Sequence, residues 1–106
     1  YQITSKFPKE EIFGLTNQLR RAVTSISSNI AEGFARKTKK EKIQFYHTAL
    51  SSLVEIQNQI LIAKDVDYIA VNTFQNTAQQ TVRVSKLING LIKSAPAKRS
   101  YSIPKT

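Results

Sequence analysis

The chain has 106 residues, enough for one domain, and at this length folding hides only about 65% of the unfolded surface, so the core is modest and self-association would help it. It has no cysteine, which excludes a disulfide framework and thiolate metal ligands and fits a reducing cytoplasm; no apolar run approaches the roughly 20 residues that cross a bilayer. Sixteen Lys and Arg against seven Asp and Glu leave a net charge of +9, and a small domain this basic attracts polyanions.

Tyr1 to Ser5 reads as the last turn of a helix lying largely upstream, with no signal-peptide pattern and no initiator methionine. The first long helix is predicted to start near Pro8, because proline suits the first helical position. Glu10 and Glu11 then fall in the first turn, at the positive end of the helix dipole. Ile12, Leu15, Leu19, Ala22, Ile26 and Ile30 follow at spacings of three and four, one apolar stripe. Gly33 is expected to stop or bend this helix.

Thr38-Lys39-Lys40-Glu41 has the form of a capping box, with Thr38 as N-cap of a second helix that runs to about Asp65. Two apolar rows share this helix, one through Tyr46, Leu50 and Leu53 and one through Phe45, Ala49 and Ile56. An arc that wide needs at least two neighbouring helices. After a connection around Val66 to Val71, a third helix is marked by Phe74, Ala78, Thr81, Val84, Ile88 and Leu91, with Pro96 as its latest end. Residues 1–96 are expected to form one domain and 97–106 a basic flexible tail. Short connections make the helices antiparallel neighbours, so the expected class is all-α, an antiparallel up-and-down four-helix bundle whose first helix is largely missing from this chain.

Charge is concentrated at two places. Arg36, Lys37, Lys39, Lys40 and Lys42 surround the junction of the first two helices, opposed there only by Glu41. Clustered cations of this kind release counterions when they meet phosphates, which makes the junction a candidate nucleic-acid contact; the alternative is a solvated loop that keeps the chain soluble. Helical geometry also puts Arg83, Lys86 and Lys93 in one quadrant with Gln75 and Gln79, opposite Phe74 and Ile88. That face suits phosphate and sugar contact, or is an ordinary outer surface. Asp67 is the last acidic residue, so the third helix and the tail are basic without opposition.

The segment Ser25-Ile26-Ser27-Ser28-Asn29-Ile30-Ala31-Glu32-Gly33-Phe34, with Phe7-Pro8-Lys9-Glu10-Glu11 before it and Leu61-Ile62-Ala63-Lys64-Asp65 after it, resembles the four-helix bundle family, also called 23S ribosomal RNA intervening-sequence proteins. The resemblance covers roughly Phe7 to Lys93 in matching order and spacing. Two departures are visible: Ser27 stands where the family has proline, which leaves the first long helix straighter, and only the end of a first family helix precedes Phe7. The resemblance implies a bacterial cytoplasmic subunit, kinship with the accessory proteins of diversity-generating retroelements, and through them a basic pentamer that binds nucleic acid and a reverse transcriptase.

Within that segment Arg21, Ser25, Ser28 and Glu32 form an outward stripe on the helical wheel, and Asn29 sits at the edge of the core stripe. Small side chains there, with Gly33, suit close approach of another helix or subunit, and Arg21 and Glu32 can pair. A nucleophilic serine needs a base, and His47, the single histidine, lies on another helix beside its apolar arc, so no catalytic residue is expected. The sequence offers no metal-ligand spacing and no glycine-rich phosphate loop, so no metal or cofactor is expected either. The few aromatics fall on apolar stripes, which argues against base stacking as the main mode and against sequence-specific recognition. The expected function is a non-catalytic, oligomeric accessory protein binding RNA or DNA through basic surfaces. The alternative is a scaffold whose partner is another protein.

Overall fold

The computed structural model describes residues 2–9 and 14–96. Three long helices follow in order, α1 (Leu15–Ala35), α2 (Lys39–Asp65) and α3 (Val71–Ser94), preceded by a 3-10 turn at Thr4–Lys6. The predicted contributions of Glu10, Glu11 and Ile12, and the whole of the tail 97–106, lie outside the described residues.

The described α1 begins later than Pro8. Phe7 is 8% exposed, and its ring meets Tyr68 at 5.3 Å, so the 3-10 turn is anchored to the core before any long helix starts. Pro8 itself is not helical. Gly14, at φ −102° and ψ −114°, is the N-cap, and Gln18 N donates the first α-helical bond to Gly14 O at 3.0 Å. From there α1 is continuous through Ser27.

The start of α2 is the predicted capping box. Glu41 N donates to Thr38 Oγ1 at 3.2 Å, and the Thr38 hydroxyl donates to Glu41 Oε1 at 2.9 Å. Its end needs no glycine. Asp67 takes the left-handed conformation at φ 64°, Tyr68 N donates to Ala63 O at 2.8 Å and Asp67 N to Lys64 O at 3.0 Å, which satisfies two terminal carbonyls. Aspartate is among the few residues besides glycine that tolerate this backbone, so the stop at Asp65 is encoded just past the apolar pattern.

As its wide arc requires, α2 is the central helix: α1 and α3 both pack along it rather than against one another. The core divides into two clusters along the rod. One joins Leu19, Ile56, Ile60 and Ala63 to Phe7 and Ile69; the other joins Tyr46, Ala49, Leu53 and Ile88, with Ile30 and Leu91 against them. Ile60 and Ile88 are almost completely buried, each contributing about 1.5–3 kcal/mol of transfer free energy. A groove of about 590 Å³ remains between α1 and α3, floored by Leu19, Ile26, Leu53 and Ile56 and walled on one side by Asn76, Thr77 and Gln80. The fourth helix of the expected bundle is not among the described residues.

Candidate nucleic-acid interface

Antiparallel packing brings the end of α1, the start of α2 and the end of α3 to one pole of the molecule, since Ile30, Tyr46, Leu91 and Ile92 share one cluster. The five cations predicted at the α1–α2 junction therefore sit at this pole, but the structure gives them different tasks.

The last turn of α1 leaves carbonyls without helical partners, and one of these cations, Lys42, serves two of them. Lys42 is 4% exposed; its Nζ donates to Phe34 O at 2.9 Å and to Gly33 O at 3.3 Å and lies 5.6 Å from the centre of the Phe34 ring. This ammonium caps α1 at the negative end of its dipole, so Lys42 is withdrawn from the surface set predicted from sequence. Arg36 is half-buried, pairs with Glu32 one turn earlier, and lays its guanidinium over Phe45 at 4.9 Å. Arg36 N also donates to Gly33 O at 3.3 Å.

Lys37, Lys39 and Lys40 remain. All three are exposed, and none takes part in an ion pair among the described residues. Of the nearby carboxylates, Glu32 pairs with Arg36, and Glu41 accepts from the Thr38 hydroxyl through one oxygen and keeps its charge. Lys93 stands in the last turn of α3, at the same pole. Lys86 and Arg83 continue down α3 about 10 and 15 Å from it along the axis. All three are exposed, as are Gln75 and Gln79. The opposite pole is mixed in sign: Lys64 pairs with Asp65 at 3.2 Å, and Asp67 follows in the connection.

The small-residue stripe of α1 splits. Arg21, Ser28 and Glu32 are exposed, but Ser25 is not outward. Its Oγ lies 2.8 Å from Ser52 Oγ on α2, and Asn29 Nδ2 donates to Ser25 O at 2.8 Å and to Ser25 Oγ at 3.1 Å. Ser25 thus joins α1 to α2, because Ser52 is small enough to admit a polar contact at a core seam, and Asn29 bonds Ser25 from the next turn of α1. Glu32 pairs with Arg36 rather than with Arg21, one turn being closer than eleven residues. A polar cleft of about 520 Å³ beside this seam is lined by Gln18, Arg21, Ser52, Glu55 and Asn58.

Gly33 does not stop α1, which runs on to Ala35. A Cβ there would stand 2.6 Å from Tyr46 Cε1, 2.9 Å from Tyr46 Cδ1 and 3.2 Å from Lys42 O. The glycine is the seat of the Tyr46 ring, which is 2% exposed. The role of Lys42 also had a sequence signal: stepping back four residues from Tyr46 along the buried register of α2 lands on it, a position the charge of lysine disguises.

Nothing in this arrangement resembles a catalytic constellation. Ser25 is bonded to Ser52 and Asn29 rather than to a base, His47 is exposed on α2, and no group of three His, Cys, Asp or Glu side chains suited to a metal occurs among the described residues. No helix among the described residues is long and apolar enough to cross a membrane.

The sequence model of the 23S rRNA-intervening sequence protein family matches residues 1–90, and the chain belongs to that family. No curated protein matches it.

Proposed function

We propose that this member of the family is a non-catalytic accessory protein that binds the phosphate backbone of RNA or DNA, without sequence specificity, at the pole carrying Lys37, Lys39 and Lys40. The observation that supports this is the division of labour at the α1–α2 junction: the structure uses Arg36 and Lys42 internally and leaves three adjacent lysines exposed and outside any ion pair among the described residues. Lys93, Lys86 and Arg83 extend the same sign along α3. Lys98, Arg99 and Lys105 follow Pro96 in sequence and carry the same sign.

The test is fluorescence anisotropy with a labelled oligonucleotide over a range of salt. Log K falls by about 0.7 per contacting cation on single strands and about 0.9 on duplex DNA, so replacing Lys37, Lys39 and Lys40 by Gln should flatten the salt slope by about 2 to 2.7. Thr38 and Glu41 are untouched, so circular dichroism should not change. Lys6→Gln with Lys9→Gln, both exposed before α1, is the control. Equal loss per charge removed from either end would reduce the proposed site to general stickiness.

Self-association is the second part of this reading. Leu87 is 70% and Val54 62% exposed, on α3 and α2, and partial cover by another copy fits both. A ring of five is the form that the resemblance to retroelement accessory proteins implies. A second class of partner, another protein such as a reverse transcriptase, would use the same apolar positions.

A further inference from the structure

The partner's strandedness follows from one side chain at the basic pole. Phe34 ends the apolar spacing of α1, four residues after Ile30, yet it is 53% exposed. The cause is local. The chain leaves the helix at Arg36, and α2 crosses over Gly33 with Tyr46, so among the described residues the core face of α2 does not reach on to cover Phe34. Among the described residues Phe34 is the one exposed Phe or Tyr; Phe7 and Tyr46 are buried, and Phe45, Tyr68 and Phe74 half-buried. The Phe34 ring is also held. Lys42 Nζ lies over it at 5.6 Å while bonding to the Phe34 carbonyl at 2.9 Å, and the residue stays half exposed. Lys37, Lys39 and Lys40 follow within six residues.

We infer that Phe34 is a stacking platform for an unpaired base, and that the polyanion this pole takes is therefore single-stranded. This rests on the nucleic-acid reading above and extends it. Exposed lysines attract any phosphate chain, but an exposed ring flanked by them gains further contact only from bases that are not stacked in a duplex. Every base has a π-face, so the platform adds affinity without adding sequence specificity. It departs from the expectation, drawn from aromatics falling on apolar stripes, that base stacking is not the main mode.

The experiment compares one oligonucleotide of about 20 residues with an abasic strand of the same length, which keeps the phosphates and lacks the bases. The wild-type protein should bind the base-bearing strand more tightly by about 5- to 150-fold, the range that one stacked base supplies. Phe34→Ala should abolish that difference and leave the salt slope unchanged; Phe34→Trp should keep it; Phe34→Leu, which retains apolar bulk without a π-face, should lose most of it. The triple lysine variant should weaken both strands and flatten both slopes. If Phe34→Ala preserves the ratio between the two strands, the stacking inference is overturned while the basic site stands. If Phe34→Ala weakens both strands equally and changes the mass seen by light scattering, the ring is a subunit contact and the inference is again overturned. If the lysine variant changes nothing, the nucleic-acid reading itself fails.

Discussion

The two helical glycines of α1 and α3 should respond to the same substitution with opposite signs. Gly90 lies within α3, and a methyl group on its Cα would have no surrounding heavy atom within 4 Å, so Gly90→Ala brings only the helix-propensity gain of about 1 kcal/mol. Gly33→Ala gains the same propensity but drives the methyl to 2.6 and 2.9 Å from the Tyr46 ring and 3.2 Å from a backbone oxygen of α2. The ring is 2% exposed and its neighbours are core residues, so relief requires α1 and α2 to separate. Overpacking of this kind costs about 1–3 kcal/mol, and contacts this short belong in the upper part of that range, for a net loss of about 1–2 kcal/mol. Thermal unfolding followed by far-ultraviolet circular dichroism reads both. At about 4–8 °C per kcal/mol, Gly90→Ala should melt roughly 4–8 °C above the parent and Gly33→Ala roughly 4–16 °C below it. In a Tyr46→Leu background the Gly33→Ala penalty should shrink markedly, since the flat ring that meets the methyl is gone. A Gly33→Ala protein that melts above the parent would refute the idea that this glycine seats Tyr46.

Lys42→Met keeps the stem of the side chain and removes two bonds to α1 carbonyls; it should cost about 1–3 kcal/mol in stability by chemical denaturation while leaving the salt slope of nucleic-acid binding at its parental value. A slope flattened by about 0.7 to 0.9, the share of one contacting cation, would return Lys42 to the binding surface. For self-association, light scattering at tens of micromolar should show a multiple of the 11.9 kDa chain mass, with Leu87→Glu shifting it toward the monomer, and a monomer at that concentration would end the oligomer proposal.

Much of the architecture follows from local chemistry that one sequence displays. The start of α2 is written in Thr38 and Glu41, whose reciprocal bonds need only each other. Its central position follows from the width of its apolar arc, and the end of α3 before Pro96 from the geometry of proline. The start of α1 was less predictable, because Phe7 docks on Tyr68, sixty-one positions later, and that contact has no local signature.

The charge shows the same division. Composition determines that the chain is basic, and the order of residues determines that five cations crowd one junction. Which of them face solvent is settled only when the chain reverses there. Reversal carries the first turns of α2 back across the open end of α1, where unpartnered carbonyls draw in the Lys42 ammonium, while Lys39 and Lys40 stay exposed to water. Phe34 is exposed for the same reason, since its apolar spacing continues past the point where α2 turns its core face elsewhere. Periodicity specifies the direction a side chain takes from its own helix; whether another helix is present in that direction is a property of the packed chain.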